Sequence, residues 1–404
     1  MEKIKRNPLE GKNITVGVTG SIAAYKSADL VSKLVQLGAN VSVLMSKNAE
    51  NFVGKNTFEA LSHKPVMTNY FENFSEINID HVYIAKNTDL IIVAPITANS
   101  IAKISHGITD DLITGTISAS NSPVILAPAM DAGMYENNVS RNLKSLEKNR
   151  FHILEPQIGR LASGIIGKGR MVEPNFIIET ATLLMSKNGD LSSKKIIISA
   201  GGTREFIDPV RYIGNRSSGK MGYAIATAAR DRGADVSLFS AENISLPVPL
   251  GVKNHYVETS SDLEKIILNK AESSDIIIMA AAVCDFKPKN IETQKIKKNL
   301  KESNFNLELE KTSDIIKKLK NNNLTKIAFA AETENIIENA KIKLKNKNLD
   351  MIVANDVSRN DIGFNSDNNQ VTLIQKDGSI NELPIMPKTE LAHILLDETI
   401  SLIS

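Results

Sequence analysis

The segment S-A-G-G-T-R-E-F-I-D-P-V-R-Y-I-G-N-R-S-S-G-K-M-G, residues 199–222, decides the fold of this chain. The apolar run at 195–198 occupies the stretch just before this segment and predicts a buried parallel strand. An amphipathic helix is predicted at 221–232, beginning at the end of the segment. Glycines at 201 and 202 allow close approach of a phosphate, although glycine pairs alone equally fit a turn without a ligand. A bound nucleotide or phosphate ester is favoured by the polar side chains of the same loop, Arg204, Arg211, Asn215, Arg216, Ser217, Ser218 and Lys220.

Length and composition limit what such a site can belong to. With 404 residues, 42% of them hydrophobic, the chain is too long for one ordinary core and predicts two domains. A net charge of +2 predicts no strong nucleic-acid partner. The single cysteine, Cys284, excludes an internal disulfide framework. With no apolar segment long enough for a signal peptide or a membrane span, we expect a soluble, cytoplasmic protein without a membrane partner.

The N-terminal half begins with a second strand, turn and helix. The β-branched run 14–18 ends in G-S-I-A-A-Y-K (20–26), and the helix is predicted to extend to Leu37, with Gly38 as its C-cap. Only one glycine lies in the turn, so the three-glycine dinucleotide fingerprint is absent. The pattern favours a mononucleotide.

Polar side chains follow the next predicted strands of this half. Ser46 follows strand 41–45, and Thr97 and Asn99 follow strand 89–95. These positions lie at the carboxyl ends of parallel strands, where doubly wound folds bind ligands. Serines at strand ends are common, so Ser46 alone is weak evidence.

Two other segments of this half allow more than one interpretation. The carboxylates Asp110 and Asp111 precede a predicted helix at 112–119, where helix capping is favoured over a metal pair. Residues 161–171 are punctuated by glycine and lack a helix or strand period, which predicts either a disordered connector or a lid.

The stretch 186–194 is the most linker-like in the chain and predicts domains at 1–187 and 188–404. Strands alternate with helices in both halves. The predicted fold class is therefore α/β, with two doubly wound, mostly parallel-sheet, Rossmann-like domains.

In the second half, small residues at 279–282 and Asp285 follow a buried strand. The lysine-rich segment 287–301 comes next and includes Lys295, Lys297 and Lys298. A lysine run is usually a solvated surface, and we expect that for most of these side chains. A subset could close over a triphosphate, because several ammonium groups on a mobile loop match its charge.

The second half resembles the ligase part of the bacterial bifunctional phosphopantothenoylcysteine decarboxylase/phosphopantothenate–cysteine ligase family of coenzyme A biosynthesis. The matching motifs are A-G-G-T-R-E (200–205), D-P-V-R (208–211), N-R-S-S-G-K-M-G (215–222), K-I-K-K (295–298), A-A-E-T (330–333), A-N-D-V (354–357) and G-F-N-S-D-N-N (363–369). The resemblance implies that CTP, with magnesium, activates phosphopantothenate as an acyl-cytidylate. The amine of L-cysteine then displaces CMP.

The resemblance also implies roles for individual residues of this half. Lys295 would act in forming the cytidylate, and Arg211 and Asn215 in its onward reaction. The implied CTP contacts are Met279, Ala280, Ala281, Asp285, Lys295, Ser313, Asp314, Ile315, Ile316, Phe329, Lys343 and Lys347. The metal ligands stay unassigned. Domains of this type dimerise.

The first half resembles the flavin-dependent cysteine decarboxylases through G-S-I-A-A-Y-K (20–26), His81, A-P-I-T-A-N (94–99), P-A-M-D (128–131) and G-K-G-R-M (167–171). The implied FMN contacts are Gly20, Ser21, Ile22, Ser46, Thr97 and Asn99, and His81 would be the active-site histidine. Without the match, a lone histidine is more often structural. Members bind FMN between subunits of a trimer, which can build into a dodecamer. FMN oxidises the cysteinyl thiol so that carbon dioxide can leave, and then reduces the enethiolate.

This half departs from the family at two positions. Asp131 stands where the family has a substrate-binding asparagine, and Ser163 stands where a cysteine proton donor is common. One alternative is therefore an active ligase with an impaired first domain. A second is a nicotinamide-dependent two-domain oxidoreductase, which should carry a three-glycine fingerprint that neither half has.

Overall fold

The computed structural model describes residues 6–70, 80–146, 150–297, 305–321, 323–358 and 365–403. Two compact units divide the chain, Met1–Met185 and Ser186–Ser404. Each unit has its own sheet and its own hydrophobic clusters.

A five-stranded sheet in the order β2-β1-β3-β4-β5 forms the centre of the first unit, and all its neighbouring strands are parallel. These strands are β1 (Asn13–Val18), β2 (Asn40–Met45), β3 (Leu90–Ile96), β4 (Val124–Pro128) and β5 (Phe151–Ile153). The helices are α1 (Ala24–Gln36), α2 (Lys55–Ser62), α3 (Asp80–Asn87), α4 (Ala98–Ser105), α5 (Leu112–Ala119), α6 (Ala132–Met134), α7 (Ser140–Leu146) and α8 (Pro174–Met185).

Strand β3 shows why this sheet has helices on both faces. Every residue of its sequence L-I-I-V-A-P-I is buried. Leu90 and Ile92 belong to one hydrophobic cluster, whereas Ile91 and Val93 belong to another. Because successive side chains of a strand point to opposite faces, the sheet is buried on both sides.

The segment 161–171 is not a disordered connector, one of the two predicted alternatives, and the other alternative, a lid, stays a prediction. It belongs to an antiparallel hairpin formed by β6 (Gln157–Arg160) and β7 (Ile166–Arg170), called here the 157–170 hairpin. Most residues of these strands are exposed or half-buried, so no alternation of apolar and polar residues marks them in the sequence.

An eight-stranded sheet in the order β12-β11-β8-β13-β16-β17-β19-β20 forms the centre of the second unit. The pairs from β12 to β17 are parallel, and β19 and β20 add antiparallel strands at one edge. The strands of this unit are β8 (Lys195–Ala200), β9 (Arg204–Phe206), β10 (Tyr212–Gly214), β11 (Asp235–Ala241), β12 (Lys253–Val257), β13 (Ile276–Met279), β14 (Phe286–Pro288), β15 (Leu309–Lys311), β16 (Thr325–Glu332), β17 (Met351–Asp356), β18 (Asn368–Asn369), β19 (Val371–Gln375), β20 (Ile380–Glu382) and β21 (Met386–Pro387).

The helices of the second unit are α9 (Lys220–Asp231), α10 (Ser260–Ala271), α11 (Ile336–Asn346) and α12 (Lys388–Ile403). Ile196 and Ile198 of β8 belong to one hydrophobic cluster and Ile197 to another. Both units are thus doubly wound α/β units with mostly parallel sheets, which confirms the predicted fold class. Within the described residues, no helix is both long and apolar enough to cross a membrane.

Candidate active sites

The first candidate site lies where β1, β2 and β3 end in the first unit. Thr19, directly after β1, donates a hydrogen bond of 2.9 Å from its hydroxyl to the carbonyl oxygen of Pro95, and its Oγ1 accepts one of 2.9 Å from the amide of Thr97. The amide of Ser46 donates to the carbonyl of Val18 at 3.0 Å. The three predicted contact regions at 20–22, 46 and 97–99 therefore meet at one edge of the sheet.

This edge has the features of an anion site. Thr97 is the N-cap of α4, and its hydroxyl accepts a hydrogen bond from the amide of Ser100. Gly20 lies so close to Asn48 that a Cβ atom would be 2.6 Å from the Cβ of Asn48, so only glycine fits there. Ile22 and Asn99 are exposed beside it. A helix N-terminus with hydroxyl and amide donors suits the phosphate of a flavin mononucleotide.

The 157–170 hairpin packs against the P-A-M-D turn after β4. The amide of Met130 donates to the carbonyl of Gly169 at 3.0 Å. A Cβ atom at Gly169 would lie 2.1 Å from the carbonyl oxygen of Met130, and one at Gly167 would lie 2.6 Å from the Cβ of Ala132. Glycine at both positions is what allows the hairpin to approach this closely.

The two residues that depart from the family contact each other. Ser163, between the two hairpin strands, donates a hydrogen bond of 2.6 Å from its hydroxyl to Oδ2 of Asp131. Oδ1 of Asp131 accepts one of 3.3 Å from the amide of Gly133. Asp131 is thus the N-cap of the short helix α6 as well as the partner of Ser163.

Lys26, the last residue of the G-S-I-A-A-Y-K motif, anchors the end of the hairpin. Its side chain is 7% exposed, and its ammonium group donates to the carbonyl of Met171 at 3.1 Å and to Glu173 at 2.8 Å. The hydrogen bond from Lys26 holds the pKa of Glu173 below its usual value. Sequence reasoning assigned Lys26 no role. The sequence feature that indicates such a role is the position of this lysine on the face of α1 whose other residues are buried.

His81 lines an open cleft of about 290 Å³, and none of the described residues proposed for FMN lines it. The rings of His81 and Tyr70 meet edge to face, with centroids 5.1 Å apart. Nδ1 of His81 is buried without a hydrogen-bond partner among the described residues. Burial, and then the charge of Asp111, raise the pKa of the Tyr70 hydroxyl.

Asp111 caps α5 with a capping box, as predicted, and Lys103 pairs with Asp110.

The second candidate site is a cavity of about 1010 Å³ in the second unit. It lies at the carboxyl ends of β13, β16 and β17, the edge where such sheets bind ligands. Its lining includes these residues that the sequence predicted: Asn215, Ser217, Ser218, Gly219, Lys220, Met279, Ala280, Ala281, Asp285, Ser313, Asp314, Ile315, Ile316, Phe329, Lys343 and Lys347. Asn355 and Lys388, to which the sequence assigned no role, also line it.

The paired glycines shape one wall of this cavity. Gly201 has φ +88°. Its carbonyl oxygen accepts a hydrogen bond of 2.7 Å from the backbone amide of Ala282. A Cβ atom at Gly202 would lie 2.4 Å from the carbonyl oxygen of Asn215. The side-chain amide of Asn215 donates to the carbonyl of Val283 at 3.0 Å. The glycines therefore bring the 215–220 loop against the end of β13.

Three lysines on the cavity wall, Lys220, Lys343 and Lys347, are paired with carboxylates. Lys343 pairs with Glu332 at 2.6 Å, and Lys347 pairs with Asp314 at 3.1 Å. Lys220 pairs with Asp367 at 2.7 Å, and the hydrogen bond lowers the pKa of Asp367. These ammonium groups can exchange a carboxylate for phosphate oxygens.

Arg211 and Lys295 do not line the cavity. Arg211 is held by the buried Asp208, whose pKa its guanidinium keeps well below the usual range. Lys295 is exposed. Lys298 of the K-I-K-K motif, and Gly363 and Phe364 of G-F-N-S-D-N-N, lie outside the described residues. The described residues include no group of three or more histidine, cysteine, aspartate or glutamate side chains that could hold a metal ion.

Together, the folds and sites define a two-domain α/β enzyme. Its first unit has a candidate site for a flavin mononucleotide at the sheet edge, and its second unit has a candidate nucleotide-binding cavity. The family model described as Flavoprotein matches residues 2–186, and the one described as DNA/pantothenate metabolism flavoprotein C-terminal domain matches 191–402. The coenzyme A biosynthesis bifunctional protein CoaBC of Bacillus subtilis (strain 168) is 44% identical and covers 98% of each chain. The protein of that name from Escherichia coli (strain K12) is 40% identical and covers 97% of this chain and 98% of its own.

A crystal structure of the C-terminal domain of a coenzyme A biosynthesis bifunctional protein CoaBC is 41% identical, covers 52% of this chain and 95% of that one, and has a TM-score of 0.44. The chain belongs to the bifunctional coenzyme A biosynthesis protein family. This confirms the prediction of a bifunctional enzyme that combines a flavoprotein decarboxylase with a phosphopantothenate–cysteine ligase. The nicotinamide-dependent alternative is set aside.

Proposed function

We propose that the second unit joins phosphopantothenate to L-cysteine at the expense of CTP, and that the first unit decarboxylates the phosphopantothenoylcysteine so formed with FMN. The observation that carries this proposal is the cavity of about 1010 Å³, which brings the residues predicted for CTP, except Lys295, together around paired lysines. Domains at 1–187 and 188–404 would hold the two activities.

The ligation proceeds through an acyl-cytidylate. A carboxylate is a poor electrophile until one of its oxygens becomes part of a good leaving group. A carboxylate oxygen of phosphopantothenate attacks the α-phosphorus of CTP and pyrophosphate leaves, so that this oxygen later departs as part of CMP. Lys343 and Lys347 would bind the triphosphate, and magnesium would accompany it. Small residues at 279–281 would leave room for the base.

Two sets of residues would act in turn. Lys295 would stabilise charge on the transferring phosphorus in the first step. Asn215 and Arg211 would serve the second step, in which the amine of cysteine displaces CMP. The bond from Asn215 to Val283 supports this role, because it fixes the side chain at the cavity wall.

In the first unit, FMN would bind at the edge formed by Gly20, Ser21, Ile22, Ser46, Thr97 and Asn99, with its phosphate near the N-terminus of α4. When bound, FMN supplies the electron acceptance and return that the decarboxylation needs. His81 would act as the active-site histidine. Asp131 and Ser163 would contact the substrate beneath the 157–170 hairpin, which excludes water when it is closed.

We also propose that the chain forms a homo-oligomer in which first units associate as trimers and second units as dimers. A dodecamer would combine both kinds of contact. Ile158 and Ile166 on the 157–170 hairpin are each 76% exposed, and Ile165 between them is 58% exposed. A cluster of exposed isoleucines is typical of a surface that another chain covers.

The test uses the purified full-length protein. We expect a yellow protein that releases FMN on denaturation and forms phosphopantetheine, pyrophosphate and carbon dioxide from phosphopantothenate, cysteine, CTP and magnesium. A colourless protein that cannot be reconstituted with FMN would refute the first-unit proposal. Formation of phosphopantothenoylcysteine without carbon dioxide would support the alternative of an active ligase with an impaired first domain.

A further inference from the structure

Asp208 is a carboxylate without an assigned role, in the turn between β9 and β10. Its side chain is 0% exposed. Oδ1 accepts hydrogen bonds from the amides of Val210 at 2.8 Å and Arg211 at 2.9 Å. One oxygen of Asp208 is therefore committed to the turn itself.

The other oxygen reaches two parts of the chain. Oδ2 accepts from Nε and Nη2 of Arg211 at 3.0 and 2.5 Å, and from the amide of Ile296 at 3.1 Å. Nη2 of Arg211 also donates to the carbonyl of Ile296 at 2.9 Å. The amide of Glu292 donates to the carbonyl of Ile207 at 3.0 Å. The segment 292–296, which contains Lys295, is thereby tied to the turn.

We propose that Asp208 is a positioning residue for both steps of the ligation, because one carboxylate holds Arg211, assigned to the second step, and the backbone next to Lys295, assigned to the first. The inference rests on the proposed function of the second unit. It adds a dependence that the separate roles of Lys295 and Arg211 do not contain: the two steps fail together when Asp208 loses its second oxygen.

The chemistry of the contacts decides which substitution tests this. All five donors around Asp208 are N–H groups, and a carboxylate is the side chain of this size that only accepts. In Asp208→Asn, the amide oxygen can still accept from the turn amides. Its NH₂ group would then face the donors of Arg211 and Ile296. This variant should keep the turn and release the other two contacts.

The experiment compares Asp208→Asn with a matched control, Asp235→Asn, in the full-length protein. Asp235 also pairs with a cation, Lys253, but that pair is exposed, at 48% and 61% of the side chains. We expect Asp208→Asn to slow pyrophosphate release from phosphopantothenate and CTP at least tenfold. It should also slow the reaction of preformed cytidylate with cysteine at least tenfold. The KM for CTP should change less than about threefold, and the control should match the parent.

A readout independent of activity follows the contact itself. Hydrogen–deuterium exchange of the peptide containing Ile296 should be faster in Asp208→Asn than in the control, because the amide loses its acceptor. If Asp208→Asn does not fold, Asp208→Ser serves instead, since a serine hydroxyl can accept from the turn amides but cannot reach Ile296. Decarboxylation by the first unit reports that the chain is intact.

Slowing of both steps together with faster exchange supports the inference. Normal rates in a folded variant, or a loss confined to one step, overturn it. Unchanged exchange at Ile296 overturns it as well. A parent protein that forms no cytidylate would instead refute the proposed function, and the exchange measurement would then decide by itself whether Asp208 holds Ile296.

Discussion

The hydroxyl of Ser163 lies 2.6 Å from Oδ2 of Asp131, so the two residues that depart from the family form one hydrogen-bonded pair. An ionised Asp131 alone would repel a substrate carboxylate, most strongly in a partly dry site. Ser163 satisfies one of its oxygens and connects the 157–170 hairpin to the turn that carries Asp131. The first unit is therefore expected to be a working decarboxylase.

We predict that Ser163→Ala releases carbon dioxide at a rate within about threefold of the parent, but returns less of the product as phosphopantetheine and more as the oxidised enethiol. We expect this result because the proposed role of the hydroxyl is to orient proton delivery during the reduction rather than during the loss of carbon dioxide. Chromatography of the products measures the ratio. Ser145→Ala, an exposed serine of α7, is the control. An unchanged product ratio in Ser163→Ala would contradict the prediction.

The compatibility of Asp131 with catalysis has its own test. The FMN-loaded parent should release carbon dioxide from phosphopantothenoylcysteine. If the parent is inactive and Asp131→Asn restores activity, the view that this carboxylate serves the reaction is wrong.

Lys295→Ala and Asn215→Ala should fail at different steps of the ligation. Lys295→Ala should abolish cytidylate formation, whereas Asn215→Ala should form the cytidylate and accumulate it, because the two residues are assigned to consecutive steps. Mass spectrometry and pyrophosphate release distinguish the outcomes. Lys253→Ala is a matched control on the exposed edge strand β12. Pyrophosphate release at the parent rate in Lys295→Ala would remove its assigned role.

The ligase should prefer CTP to ATP, and the reaction should require magnesium. The preference follows from the wall at Met279, Ala280 and Ala281, where two small alanines leave room and beside which the base would lie. Initial rates with the two nucleotides at equal concentrations measure it. Equal rates would show that this wall does not distinguish the bases.

Replacing the buried Lys26 by Met should destabilise the first unit by about 1–3 kcal/mol, since the carbonyl of Met171 loses a charged donor and stays buried. Lys33→Met is the control, because the side chains of Lys33 and its partner Asp29 are 37% and 50% exposed, and solvent-accessible pairs contribute about 0–1 kcal/mol. Denaturant unfolding of the full-length variants measures both. Equal effects of the two substitutions would show that burial of Lys26 does not matter.

The same pair gives a pH dependence with a defined sign. Lys26 lowers the pKa of Glu173 in the folded state, so the ion pair stabilises the fold above the usual pKa of a glutamate. This contribution is lost as the pH falls through the lowered pKa. The difference between parent and Lys26→Met should therefore shrink in acid, and a difference that grows there would exclude the ion pair as its cause.

Helices and strands buried in the layers of each unit could be predicted from the sequence. The predicted helix at 112–119 has the observed bounds, because continuous burial of residues 112–117 gives it a clear hydrophobic pattern. The 157–170 hairpin was missed because its strands face solvent. Its glycines are required by the approach to Met130 and Ala132, a contact that only the folded chain reveals.

The positions of candidate site residues could be predicted where a motif follows a strand directly, as at 279–281 and 97–99. Residues that act through long-range contacts were not. The motif D-P-V-R contains Asp208 but does not indicate its contacts, because its hydrogen bond to Ile296 joins residues 88 apart in the sequence. Lys26 was missed for the same reason, since its partner Glu173 is 147 residues away.

Three lysines of the second-unit cavity, Lys220, Lys343 and Lys347, carry their own counter-charges from Asp367, Glu332 and Asp314. Nucleotide binding at these lysines is therefore an exchange of one anion for another, and dissolved ions screen the pairs that are broken as well as those that are formed. The affinity for nucleotide should consequently depend less on ionic strength than the number of lysines in the cavity suggests.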